Sequence, residues 1–272
     1  MIRISFLITG LLAFAVTAVS GFVLIPWLRK VKFGQTIKEI GPTWHQSKQG
    51  TPTMGGIMFI LAIVFTTVVS VIVYAVTHGG FSQTEKFVIT GLFMAVAYGG
   101  IGFIDDYIKV VKKRNMGLTI LQKTVLQIVL MVGYLLTLYI NDPTGSMFIP
   151  FVGMIETKIF FWVIGVAVIY CTTNAVNFTD GIDGLCGSVT VTAAVSFIVI
   201  GALRNCLGVS LFAAALAGGL VGYLIWNWHP AKVMMGDLGS MFLGGMIVAL
   251  SYAIDCPFII LLIGIIYVAE FA

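Results

Sequence analysis

Phe87-Val-Ile-Thr-Gly-Leu-Phe-Met-Ala-Val-Ala-Tyr-Gly-Gly-Ile-Gly-Phe-Ile104 carries no charge, and Asp105-Asp106 follows it at once. Such a run approaches the roughly 20 residues that a helix needs to cross bilayer hydrocarbon. Further apolar runs fall at 4–26, 54–77, 119–140, 159–174, 188–203, 207–225, 240–254 and 257–272. Of the 272 residues, 59% are apolar and 10% charged, with a mean hydropathy of +1.07. A soluble domain carries about 25% charged residues, so the main solvent of this chain is lipid. The expectation is an all-α integral membrane protein, a polytopic bundle of about nine spans. Arg3 ahead of the first run resembles a signal peptide, but eight further spans favour an uncleaved first helix.

Short cytoplasmic loops collect Lys and Arg. The first connector holds Arg29, Lys30, Lys32, Lys38 and Lys48. The third holds Lys109, Lys112, Lys113 and Arg114, with Lys123 just beyond and Lys232 in the seventh. Only Arg3, Lys86, Lys158 and Arg204 fall on the other side. Odd-numbered connectors are therefore expected to be cytoplasmic and the N-terminus external. The net charge of +4 follows from this topology and needs no nucleic acid.

The chain reads as a single transmembrane domain over 1–272, without linker or low-complexity tract. Cys171, Cys186, Cys206 and Cys256 lack metal-type spacing and read as small buried or interfacial residues. Turn residues bracket short apolar runs in Asn141-Asp-Pro-Thr-Gly and Phe148-Ile-Pro-Phe-Val-Gly, which suggests a small external β-hairpin. Paired glycines at 55–56, 99–100, 218–219 and 244–245 suit close helix packing.

Chemistry-bearing residues gather in connectors of one parity. Asp105 and Asp106 close the third span, beside lysines that can hold phosphate. In Asn174-Ala-Val-Asn-Phe-Thr-Asp-Gly-Ile-Asp-Gly, the residues Asn174, Asn177 and Asp180 are three apart and share a helix face. Gly181 and Gly184 then let the backbone approach a ligand, and Asp183 adds a carboxylate. The 12-residue calcium-loop pattern is absent; a nucleotide or sugar pocket fits better, with a loop cap as the plainer alternative. Asp237, between Gly236 and Leu238, can cap the eighth span. It equally suits Mg²⁺, which takes one or two carboxylates and substrate phosphates. Asn227 lies between Trp226 and Trp228, themselves interfacial anchors or stacking partners. Lys48 stands before a Gly50-Thr-Pro-Thr53 turn whose hydroxyls and amides can cradle phosphate. His45 and His229 are too scattered for a metal triad.

Four motifs in register carry a resemblance. Lys48-Gln-Gly-Thr-Pro-Thr-Met-Gly-Gly56, Phe103-Ile-Asp-Asp-Tyr107, Asn174 to Leu185 and Ala231-Lys-Val-Met-Met-Gly-Asp-Leu-Gly-Ser240 resemble the polyprenyl-phosphate N-acetylhexosamine-1-phosphate transferases. Within that superfamily the pattern is similar to the bacterial phospho-N-acetylmuramoyl-pentapeptide transferases. The resemblance implies ten transmembrane helices, often a homodimer, and a Mg²⁺-dependent active site on the cytoplasmic face of the inner membrane. It implies transfer of phospho-MurNAc-pentapeptide from UDP-MurNAc-pentapeptide to undecaprenyl phosphate, giving lipid I and UMP in peptidoglycan synthesis. By motif, Asp237 is the Mg²⁺ ligand, and Asp105 and Asp106 lie near the lipid phosphate. Lys48 and Thr53 lie near the donor phosphates; Asn174, Asn177, Asp180, Gly181, Asp183, Asn227 and Gly236 fall in the nucleoside and catalytic cleft.

Two departures stand out. The family places Phe before Met-Gly-Asp, where it can stack on uracil; here that position is Met234, whose thioether can still cover a base. The family also carries a histidine loop and a tenth helix beyond the ninth span, so the sequence is expected to be truncated after Ala272. Two other functions remain open at this level. One is a sister transferase moving GlcNAc-1-phosphate. The other is an ion-coupled transporter, although transporter sites lie near mid-membrane and these acids sit at the inner mouth.

Overall fold

A computed structural model describes residues 2–31, 50–80, 83–112 and 116–271. Helices run over α1 Ile2–Lys30, α2 Gly56–His78, α3 Gln83–Val111, α4 Ile120–Asn141, α5 Phe160–Thr179, α6 Leu185–Leu203, α7 Leu207–Asn227 and α8 Gly236–Ala253. All eight are long and apolar enough to cross a membrane. The ninth apolar run is helical only in pieces among the described residues. A 3₁₀ turn at Pro257–Ile259 leads into α9 Ile260–Ile263, and α10 Ile265–Phe271 follows. Gly264, between them, has non-helical backbone angles.

Two helix boundaries differ from the sequence reading in a way that matters. α3 continues past Ile104 to Val111, and α8 begins at Gly236 rather than at residue 240. Both shifts draw the acidic motifs inside helical turns. Asp105 and Lys109 stand one turn apart and pair at 2.6 Å, the i,i+4 spacing that supports a helix.

The expected hairpin is present. β1 Ser146–Ile149 pairs antiparallel with β2 Gly153–Glu156, Ser146 opposite Glu156. The Phe148 amide donates to the Asp255 carbonyl at 2.7 Å, tying the hairpin to the chain just after α8.

Two glycine-mediated contacts organise the bundle. α1 and α7 approach so closely that a Cβ on Gly218 would collide with the Gly10 carbonyl, and one on Gly222 with that of Phe14. This is small-residue packing one turn apart on α7. α3 and α8 meet the same way: Gly91 faces Ala249, Ala95 faces Gly245, and Gly102 lies against the Asp237 carbonyl. The core is densest around α8, where Leu238 through Ala253 are all buried. α8 is thus a central post, and its N-terminal turn is fixed against the end of α3.

Candidate active site

The N-terminal ends of α2, α4, α6 and α8 and the C-terminal ends of α3, α5 and α7 meet at one end of the bundle. Direct contacts establish this. The Gly55 and Gly56 amides donate to the Met234 and Met235 carbonyls at 2.9 and 3.1 Å, and the Met234 amide to that of Pro52 at 2.8 Å. The 50–56 turn and the 233–236 turn are therefore zipped together by backbone. The Gly184 amide donates to Asn227 Oδ1 at 3.0 Å, joining α6 to α7.

At the centre lie Asp105, Asp106 and Asp237, each offering an oxygen within 4.8 Å of the others. Asp105 and Asp106 are only 3% and 4% exposed, so they do not form a solvated helix end. Their side chains diverge, as neighbours on a helix must. Asp105 Oδ1 accepts the Leu118 amide at 2.7 Å and its Oδ2 takes Lys109. Asp106 Oδ2 accepts the Leu238 amide at 3.1 Å. This second bond answers the question of the α8 cap: the first-turn amide is satisfied from α3, and no side-chain cap comes from the residue preceding α8.

Asp237 faces polar side chains instead. Its Oδ1 accepts Asn177 Nδ2 at 3.3 Å; its Oδ2 receives Lys123 at 2.8 Å and Lys109 at 3.2 Å. Asn177 also donates to Ser240 Oγ at 2.7 Å, which orients its amide. Gly236, with φ of +73°, lets the chain turn tightly here. A Cβ at that position would collide with Asp106 Oδ2 and come within 2.9 Å of the Thr53 hydroxyl. Thr53 is thus buried beside the carboxylates.

The remaining expected residues separate into site wall and support. Asn174 sits deeper on the Asn177 side of α5 and donates to Gln127 Oε1 at 3.3 Å and to the Tyr170 carbonyl at 2.8 Å. Asp180 is the C-cap residue of α5, and Gly181 follows it in an exposed turn. Asp183 Oδ2 accepts the Ala231 amide at 3.1 Å and pairs with His229 Nδ1 at 3.0 Å, so His229 belongs to the loop framework. Asn227 is buried and gives its second bond to the Val233 carbonyl at 2.9 Å. Met234 is 5% exposed, its sulfur 4.0 Å from Asn227 Nδ2; Trp228 is the exposed large side chain of this loop at 64%. Lys48 and His45 lie outside the described residues.

Lys109 is among the lysines expected beside Asp105 and Asp106, whereas Lys123 has only a topology reading in the sequence; both meet at Asp237. Lys109 had a local signal, its i,i+4 spacing from Asp105. Lys123 had none, because only the turn before α4, anchored by Leu118 on Asp105, brings it to Asp237.

Comparisons with known proteins identify relatives of the chain. A family model described as glycosyl transferase family 4 matches residues 88–255, and phospho-N-acetylmuramoyl-pentapeptide-transferase signature 1 matches residues 48–60. A phospho-N-acetylmuramoyl-pentapeptide-transferase of Listeria monocytogenes is 41% identical over 273 residues, covering 97% of this chain and 80% of the relative. The enzymes of that name from Bacillus licheniformis and Bacillus subtilis are 40% and 38% identical, with the same coverage. Identity at this level along nearly its whole length makes the chain a member of the phospho-N-acetylmuramoyl-pentapeptide-transferase family.

Proposed function

We propose that the protein transfers phospho-MurNAc-pentapeptide from UDP-MurNAc-pentapeptide to undecaprenyl phosphate, yielding lipid I and UMP. In this reading it works as a Mg²⁺-dependent homodimer on the cytoplasmic face of the bacterial inner membrane. The observation that carries it is the convergence on Asp237 of Lys109, Lys123 and Asn177, from three other helices, at one end of a membrane bundle.

The donor set fits the cation. Carboxylate oxygens suit hard Mg²⁺, which needs only one or two of them beside substrate phosphates. Asp105, Asp106 and Asp237 each offer an oxygen within 4.8 Å of the others; backbone amides hold one oxygen of Asp105 and one of Asp106, and in this reading Asp237 would hold the ion. When bound there, Mg²⁺ supplies charge stabilisation to the donor diphosphate and the departing UMP.

Phosphoryl transfer asks the protein mainly for position and positive charge. An oxygen of undecaprenyl phosphate attacks the sugar-linked phosphorus of the donor. The bond from that phosphorus to the bridging oxygen breaks, and UMP leaves with the electron pair. A phosphate monoester has a second pKa of about 6, so nucleophile and leaving group are both mostly dianionic at pH 7. Neither step requires a strong base. Asp105, held at both oxygens by Leu118 and Lys109, accordingly orients Lys109. Lys109, Lys123 and Lys48 supply cations to the reacting phosphates, while Thr53 and Gly236 shape the floor.

In this reading the acceptor's chain would lie along an apolar cleft of the bundle. A cleft of about 350 Å³ lies between α5 and the 257–268 segment. Its lining includes Cys171 and Ala175 of α5.

UMP release from detergent-purified protein with undecaprenyl phosphate tests the reading. Release with UDP-MurNAc-pentapeptide that stops on chelation and returns with MgCl₂ is expected. Release from UDP-GlcNAc alone would move the protein to the sister transferases.

A further inference from the structure

Lys123 and Lys109 place two ammonium groups on one oxygen, Asp237 Oδ2, at 2.8 and 3.2 Å. They are not equivalent. Lys109 springs from α3 itself and also reaches Asp105 Oδ2 at 2.6 Å and Asp106 Oδ1 at 3.8 Å. It stays tethered to the cluster whatever happens at Asp237. Lys123 comes from the first turn of α4, and among the described residues Asp237 is the one carboxylate within ion-pair distance of it. Its flexible stem carries a compact charge that readily exchanges partners.

Counted with every carboxylate ionised, three carboxylates and two ammoniums leave the cluster one unit negative. A divalent cation takes such an oxygen at about 2.0–2.1 Å. With an ammonium held 2.8 Å from that oxygen, the two positive charges would stand in near contact, where Coulomb repulsion is large even with partial screening. Both cannot stay.

We propose that Lys123 is a built-in counter-ion occupying the metal-binding face of Asp237 until a divalent cation displaces it. Cation binding and release of the Lys123 ammonium toward the substrate phosphates are then a single exchange. The proposal rests on the assignment of Mg²⁺ to Asp237 made above. It gives Lys123 a role that a fixed phosphate-binding lysine would not have: it opposes metal binding when no substrate is present.

Mn²⁺ titration of the detergent-purified protein without substrates, followed by electron paramagnetic resonance, separates the possibilities. Lys123→Gln is expected to bind Mn²⁺ on the order of tenfold more tightly than the native chain, because one competing charge is gone. Lys123→Arg, which keeps the charge, is expected to bind like the native chain; tightening there too would overturn the proposal. So would an unchanged or weaker affinity in Lys123→Gln while Asp237→Asn still abolishes binding. Mn²⁺ binding that survives Asp237→Asn would instead sink the metal assignment beneath it. A second readout needs no variant: acylation of Lys123 by an amine-directed reagent, mapped by mass spectrometry, should rise several-fold when Mn²⁺ is added. No rise would count against the exchange.

Discussion

Asp106 of α3 accepts the backbone amide of Leu238, the third residue of α8, at 3.1 Å. A carboxylate on one helix thus caps the N-terminus of another and sets the position of Asp237 beside it. A cap of this kind contributes about 0.5–2 kcal/mol, and the positive end of the helix dipole adds to it. Asp106→Ala is expected to lower the unfolding temperature in detergent and to reduce transfer. Asp106→Asn keeps an acceptor oxygen and should recover most of the stability. Equal unfolding temperatures for Asp106→Ala and the native chain would remove the cap.

Close approach of α3 and α8 is the condition for that bond. A Cβ on Gly102 would collide with the Asp237 carbonyl, whereas one on Gly100 would meet nothing within 4 Å. Gly102→Ala should therefore part the helices, at about 1–3 kcal/mol of overpacking, and impair activity. Gly100→Ala replaces glycine in an open helical position and should be neutral or slightly stabilising. Thermal unfolding and UMP release, measured on both variants, test the contrast; equal effects would refute it.

Span parity made the site's location legible, since acids, amides and glycines in the odd connectors had to meet at one end. The division of labour within the site was hidden. Asp106 and Leu238 are far apart in sequence, and the bond between them depends on the Gly102 contact, which no local pattern announces. Met234 and Asn227, expected as ligand contacts, are 5% and 2% exposed, and Asn227 bonds Gly184 and Val233. The backbone pairing of Gly55 and Pro52 with Met234 zips the 233–236 turn to the 50–56 turn. Lys123 read as a topology charge because its role comes from the turn that precedes α4. The ninth apolar run has the composition of a span, and among the described residues its two short helices meet at Gly264.

At the opposite end of the bundle, Asp142 closes the turn from α4 into the hairpin. The Thr144 hydroxyl donates to it at 2.6 Å, and the Ser146 and Thr144 amides donate at 3.1 and 3.0 Å. These bonds favour the ionised form and hold its pKa below the usual carboxylate value. A depressed folded-state pKa contributes stability above the unfolded value, about 3.9, and loses it as pH falls through the folded value. The native chain should therefore unfold at a higher temperature than Asp142→Asn near neutral pH. The gap should close below the ordinary carboxylate range. A gap independent of pH would mean that the carboxylate's charge plays no part.

Asp237→Asn carries the sharpest expectation. The substitution changes the volume little and keeps an oxygen for Asn177, so the 3.3 Å contact can persist. It removes the charge that Lys109 and Lys123 share at 3.2 and 2.8 Å. Lys109 keeps Asp105 and Asp106, whereas Lys123 loses the carboxylate it pairs with among the described residues and should leave the face. Folding should survive, because the α8 cap comes from Asp106 and the close contact at Gly102 from backbone. Transfer should fall by at least about 10²-fold, the scale of losing one group that stabilises transition-state charge. Asn177→Ala, which unlatches Asp237 but keeps its charge, should act differently: more Mg²⁺ for half-maximal rate, with a smaller loss at saturation. UMP release across a MgCl₂ series, alongside thermal unfolding of each variant, reads both effects. Normal turnover by Asp237→Asn with an unaltered Mg²⁺ requirement would take the metal away from this carboxylate.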